Sequence, residues 1–236
     1  MIKPLWPAPT WVHSVVTTRQ QLNLALHVQD SPSQVALNRL HLSQQLGLIK
    51  NPIWLHQTHS NQVLEIQENT PQGLAADGAW TQEGHLACAV LTADCLPLLL
   101  CDSKGSWVAA VHCGWRGIAS GIIENTLQAT QHISKGPILA WFGPAIGPQC
   151  FEVGEEVRAT FIEHQRTAIT ACEATSRPHK WIANIYQLAK LRLQEMGVTQ
   201  IYGGDRCTYT ENNSFYSYRR NPNEPGRMAT LIWLGL

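Results

Sequence analysis

The chain has 236 residues, of which 44% are hydrophobic, so it can bury a full core and is too apolar to be disordered. Lysine plus arginine equal aspartate plus glutamate at 17 each and the pI is near 7.1, so no bulk charge draws it to nucleic acid or an anionic membrane. Any anion it binds must be met by local groups.

The opening stretch MIKPLWPAPTW is broken by three prolines and lacks the apolar centre of a secretory signal, and no apolar run in the chain approaches the roughly 18 residues that suggest a membrane span. A soluble, cytoplasmic protein is expected. The alternating LNLALHVQD (22–30) predicts a strand, and a helix follows it: Ser31 can cap, Pro32 suits the first helical position, Gln34 completes a capping box, and Gly47 ends VALNRLHLSQQL. IWLHQ, QVLEIQ, LACAVLT, LPLLLC and WVAAVH are short, bounded by turn residues and in several cases apolar throughout, which predicts strands buried on both faces.

After Gly117, IASGIIENTLQATQHI has helical spacing, ILAWFG returns to strand, and GEEVRATFIEHQ and NIYQLAKLRLQEM predict helices. In the last, Ile185, Leu188, Ala189, Leu191 and Met196 fall roughly on one stripe, with Asn184 able to cap it and Gly197 to end it. The tail offers a strand-like YSYRR, a Pro/Gly/Asn turn region and a closing strand, MATLIWL. Strands and helices mix without regular βα alternation, and no linker or repeat divides them. The expectation is one α+β layered sandwich over 1–236.

Seven cysteines (Cys88, Cys95, Cys101, Cys113, Cys150, Cys172 and Cys207) are an odd number without a disulfide-scaffold rhythm, which fits a reducing compartment and mostly small core residues. Cys95 differs, because it stands at the break between two apolar strands. His59 and His112 each lie where a strand hands over to a polar or glycine-rich loop. Two imidazoles and a thiolate can hold a catalytic zinc with a fourth position open. These three are 36 and 17 positions apart, a spacing that by itself equally allows a Cys/His nucleophile pair. The turn GWRG from Gly114 can receive an anion through Arg116 and backbone N–H groups, or can be a tight connection with a solvated arginine. FGPAIGPQCFEVG (142–154) crowds glycines and prolines, so its backbone is shaped around a ligand or another loop.

Taken in order, LHVQDSPSQVALNR, QTHSNQV, ADGAWT, LTADCLPLLLCD, VHCGWRG, GPAIGPQCFEVG and DRCTYTENNSFYSYRRNPNEPGR make the chain similar, over nearly its whole length, to the YfiH-type family. Its members carry the labels multicopper polyphenol oxidoreductase or laccase and, later, purine nucleoside phosphorylase. The resemblance implies a layered α/β/β/α fold and zinc bound by His59, Cys95 and His112. It also implies phosphorolysis of adenosine, inosine, guanosine and methylthioadenosine, and hydrolytic deamination of adenosine.

That chemistry needs a proton carrier, for which Asp94 ranks before Asp77 and Glu152, provided that the strand is broken at Asp94 so that its side chain reaches the metal. It also needs cations for phosphate, for which Arg116, Arg39 and Arg219 are the candidates, in that order. Copper-dependent polyphenol oxidation is the first alternative. Laccase-like sites use paired His-x-His ligands, and none of the ten histidines forms such a pair, although copper can occupy a His/His/Cys site in vitro. A second is a cysteine hydrolase editing peptidoglycan precursors, with Cys95 as nucleophile, which a chelator would stimulate. A third is a non-enzymatic binding protein. The expected partners are purine nucleosides and phosphate, not nucleic acid or membrane, and the sequence leaves the oligomeric state open.

Overall fold

The computed structural model describes residues 1–224 and 226–235. In chain order its strands begin with β1 (Val12–Val16), β2 (Ile53–Trp54), β3 (Val63–Glu65), β4 (Gly78–Thr81), β5 (Cys88–Thr92), β6 (Leu96–Asp102) and β7 (Val108–Cys113). They continue with β8 (Ile138–Phe142), β9 (Glu152–Gly154), β10 (Cys172–Ala174), β11 (Lys180–Ala183), β12 (Gln200–Gly203) and β13 (Met228–Leu234). The α-helices are α1 (Pro32–Gln45), α2 (Trp115–Ala119), α3 (Ile122–Thr130), α4 (Glu155–His164) and α5 (Ile185–Glu195).

Successive side chains leave a strand on opposite faces, and this alternation turns the apolar runs into layers. The larger sheet has the order β12-β8-β6-β7-β4-β3, with β6 antiparallel to both β7 and β8. From β6, Leu96, Leu98 and Leu100 join a core with Ile118, Ile122, Phe161 and Leu188 of the helices α2 to α5. Leu99 and Cys101 point the other way, into a second core with Val16, Val90 and Ile232 of the smaller sheet, β1-β13-β5-β2. The far face of that sheet, with Ala89, Leu91 and Leu231, packs on Leu42 of α1. The layers are therefore α/β/β/α, as the resemblance implied. Every residue of β5, β6 and β7 is buried, which is why those runs carry no polar face. Each buried leucine there contributes about 1.5–3 kcal/mol relative to exposure. A three-stranded sheet, β10-β11-β9, flanks the layers beside α4.

Two expected strands are not formed. Over 22–30 the alternation is real, but Asn23 captures the backbone: its Nδ2 donates to Ala25 O and its Oδ1 accepts from Ala25 N, both at 3.0 Å. Leu24 O accepts from Arg39 Nε, so these groups are satisfied by side chains rather than by a neighbouring strand. YSYRR is likewise a turn. Arg220 donates to Thr208 O, Tyr209 O and Phe215 O, and this folds the segment back on itself.

The helices need smaller corrections. Pro32 opens α1 as expected, but the Ser31 hydroxyl meets Ser33 Oγ at 2.8 Å and Gln34 donates to Asn38, so no capping box forms. The helix expected after Gly117 is two, because Gly121 adopts φ +92 between α2 and α3. In α5, Asn184 caps by accepting from Gln187 N at 3.1 Å. Its inner stripe includes Arg192 and Leu193, whereas Met196 is exposed. Arg192 is buried because it pairs with Glu124 and donates to Ile118 O and Ala119 O at the end of α2. No helix among the described residues is long and apolar enough to cross a membrane.

Candidate metal centre

His59, Cys95 and His112 come together at the seam between the two large sheets. His59 lies in the loop after β2 of the smaller sheet, Cys95 sits where the chain crosses from β5 to β6, and His112 belongs to β7 of the larger sheet. One ligand atom from each lies within 4.8 Å of the other two, with Cys95 Sγ 3.8 Å from His59 Nε2. Around a tetrahedral zinc, with about 2.3 Å to sulfur and 2.0–2.1 Å to nitrogen, neighbouring donors stand about 3.3–3.6 Å apart. The trio is near that spacing and fits a metal of this class.

Asp77 builds two corners of the site. Its fully buried carboxylate accepts from the backbone N–H groups of Thr58 (3.1 Å), His59 (2.9 Å) and Ser60 (2.7 Å) and from the Ser60 hydroxyl (2.7 Å). That arch holds His59 at φ +60, a conformation costing about 1–3 kcal/mol outside glycine and kept only where the surroundings over-determine it. Asp77 Oδ1 also lies 2.7 Å from His112 Nδ1, which turns the other ring nitrogen toward the site and is the usual partner of a ligating histidine. Burial pushes the Asp77 carboxyl up, but the hydrogen bonds from His112 and Ser60 outweigh it and hold the group well below the usual carboxylate range. Burial also opposes charge on Cys95 and His112. Each nevertheless stabilises the charged form of the other, so the thiol is held low and the imidazole high. The field at Cys95 favours thiolate, the form that ligates metal.

Gly114 makes room for the cluster. A β-carbon there would lie 2.9 Å from His59 Cδ2 and 3.3 Å from Cys95 Sγ. The trio opens into a cavity of about 490 Å³, within the range of small-molecule sites.

Asp94 lines this cavity, and the chain is indeed broken there, at φ +95 between β5 and β6. Its carboxylate accepts from the Thr208 hydroxyl at 2.6 Å and from Arg219 N at 2.7 Å. Arg116 also lines the cavity, its guanidinium 4.5 Å from the Trp115 ring, as does Arg219, whose Nη1 donates to Glu152 O. Two candidates stand elsewhere. Arg39 stacks on Trp54 at 4.2 Å and lines a neighbouring cavity that shares His27 and Leu91 with the first. The Glu152 carboxylate pairs with Arg177.

The sequence did not single out His27, Gln57, Phe151, Tyr218 or Arg227 as lining residues. Gln57 had a signal, since it opens the QTHSNQV phrase. Its amide accepts from Leu91 N and donates to Leu91 O, tying the His59 loop to β5. The others lie in segments without helix or strand: His27 and Tyr218 in the two stretches that were expected to be strands, Phe151 and Arg227 in loops.

The chain as a whole is similar to known proteins. A family model described as multi-copper polyphenol oxidoreductase laccase matches residues 13–235. A Shigella flexneri protein named purine nucleoside phosphorylase YfiH is 44% identical, covering 99% of this chain and 98% of its own length. A Pseudomonas aeruginosa purine nucleoside phosphorylase is 42% identical, with 99% and 98% covered. The crystal structure of a Neisseria meningitidis protein superposes with a TM-score of 0.91 at 42% identity, covering 99% of this chain and 98% of that one.

Proposed function

The chain belongs to the YfiH family, and from that membership we propose that it is a zinc-dependent purine nucleoside phosphorylase that also deaminates adenosine. The observation carrying this reading is the His59–Cys95–His112 trio opening into a nucleoside-sized cavity with cations and aromatic rings at its walls. Zinc, when bound by these three residues, supplies a Lewis acid at the cavity floor, which serves attack on C6 of adenine in the deamination. The substrates are adenosine, inosine, guanosine and methylthioadenosine, with phosphate as the second reactant.

Phosphorolysis joins a phosphate oxygen to C1′ and breaks the bond from C1′ to the purine nitrogen. Arg116 and Arg219, both lining the cavity, receive the phosphate. Arg39 contributes from the adjoining cavity. The faces of Phe151, Trp115 and Tyr218 hold the purine. Among the described residues Asp94 is the carboxylate that lines the cavity, and it carries the proton to the nitrogen of the departing base. The hydrogen bonds from Thr208 and Arg219 fix where that proton is delivered.

The test is product chromatography after incubating protein of measured metal content with adenosine, with and without phosphate, alongside Cys95→Ala. Adenine and ribose 1-phosphate are expected only with phosphate, inosine without it, and neither from Cys95→Ala. Absence of turnover from the metal-loaded wild type in both conditions would overturn the reading.

A further inference from the structure

The glycine-rich loop over 142–154 is shaped around a cysteine. Ala145 and Cys207 form a parallel bridge in which Thr208 N donates to Ala145 O at 2.9 Å. Two residues past Ala145, Gly147 N donates to Cys207 Sγ at 3.1 Å. A β-carbon at Gly147 would lie 2.9 Å from that sulfur and 3.1 Å from Cys207 Cβ, so the missing side chain is what lets the N–H reach it. The loop then turns, with Cys150 N donating to Gly147 O at 3.0 Å, so that Cys150 stands on the same turn whose Gly147 N–H holds the Cys207 sulfur. Both are free and partly exposed, unlike the buried Cys88, Cys101, Cys113 and Cys172.

The two thiols are shifted in opposite directions. Burial pushes Cys207 up, but the Thr210 hydroxyl and the backbone N–H groups of Thr210, Gly147 and Tyr209 outweigh it and hold the thiol below its ordinary value. Cys150 is raised, first by burial and then by Cys207 itself. Cys101, by contrast, is pushed up to about 12 by burial. A thiol whose surroundings favour the thiolate, paired with one whose surroundings favour the protonated form, is the arrangement in which one sulfur attacks and the other resolves.

We propose that Cys207 and Cys150 form a thiol–disulfide exchange site, separate from the metal trio, that reacts with low-molecular-weight disulfides of the glutathione class. The Cys207 thiolate attacks one sulfur of the disulfide RSSR. The S–S bond breaks, one RS⁻ leaves, and Cys207 carries a mixed disulfide. Cys150 then loses its proton to solvent and attacks the Cys207 sulfur, expelling the second RS⁻. The two expelled thiolates take up the protons lost by the two cysteines. The protein dithiol is oxidised by two electrons, and RSSR is reduced to two RSH. Closure acts on the cavity wall, because Ile146 and Phe151 flank the loop segment on its cavity side and Thr208 holds Asp94.

The experiment exposes metal-loaded full-length protein to oxidised glutathione and follows it by intact mass and peptide mapping over time. Wild type is expected to show a transient glutathione adduct on Cys207 and then a Cys150–Cys207 disulfide with the loss of two hydrogens. Cys150→Ser should stop at the adduct on Cys207, and Cys207→Ser should slow modification of Cys150 by more than about tenfold, since the attacking sulfur sets the rate. Adduct appearing first on Cys150 in wild type, or no linked peptide at full consumption of either thiol, would overturn the proposal without recourse to the variants. Metal content and nucleoside turnover of the reduced protein do not enter this readout, so the outcome is independent of the proposed activity.

Discussion

Asp77 and Asp94 are both buried, Asp77 behind the trio and Asp94 at the cavity, and their surroundings divide the site into a floor and a rim. Asp77 gathers the N–H groups of three consecutive residues, a hydroxyl and an imidazole, and through them sets the position of two ligands. Asp94, although next to Cys95 in sequence, accepts from Thr208 and Arg219 and so joins the tail to the break between β5 and β6. Proximity in sequence to a ligand therefore says less about a carboxylate than the direction and number of the donors aimed at it. The floor is over-determined, and the rim hangs on a few bonds.

Asp77→Asn is the severest way to break that contrast. An amide NH₂ would face N–H donors, so metal affinity should fall about 10–100-fold and stability by about 1–3 kcal/mol. Metal titration and denaturant unfolding measure the two. Unchanged metal affinity would show that the floor does not depend on Asp77. Gly114→Ala attacks the same region sterically. The exposed His59 ring can swing aside from the added methyl in metal-free protein, whose melting curve should hardly move, but holding it in place for the metal should cost about 1–3 kcal/mol, or about 5–150-fold in metal affinity.

At the rim, Asp94→Asn separates two roles. Loosening of the tail should raise the nucleoside KM about tenfold at unchanged metal content, for the loss of one hydrogen bond to a charged group. A fall in kcat accompanied by the loss of one limb of the pH–rate profile would mark proton transfer by Asp94 itself. Arg116→Ala should have the smallest effect, because its guanidinium is exposed: the phosphate KM should rise about fivefold and the nucleoside KM much less. Equal changes in both would remove Arg116 from phosphate binding.

The layers were legible in the sequence because β5, β6 and β7 are buried on both faces, and such strands cannot hide their composition. The positions of His59, Cys95 and His112 were legible too, each at the end of an apolar run. What the chain concealed was backbone captured by side chains. Asn23 dismantled an alternating pattern over 22–30, and Arg220 did the same for YSYRR, because a side-chain amide or guanidinium can satisfy carbonyls that a strand would otherwise pair. Arg192 was hidden for the converse reason: a cation on an inner helical stripe contradicts the apolar pattern and is explained only by Glu124 and the α2 carbonyls, 68 to 74 positions away. Arg39 could not be separated from Arg116 by its phrase, and spatial placement alone puts it in the next cavity.

Because the residues of the trio are drawn from both sides of the seam, the candidate centre also works as a gauge of alignment. Sliding one sheet over the other by an ångström would spread its cost over the many small contacts of the core between them. The same slip would carry His59 away from His112 and take the trio out of coordinating range. A fold whose layers are held by non-directional contacts thus acquires, at one end, a directional lock, and whatever occupies it ties the register of the sandwich to the chemistry of the cavity.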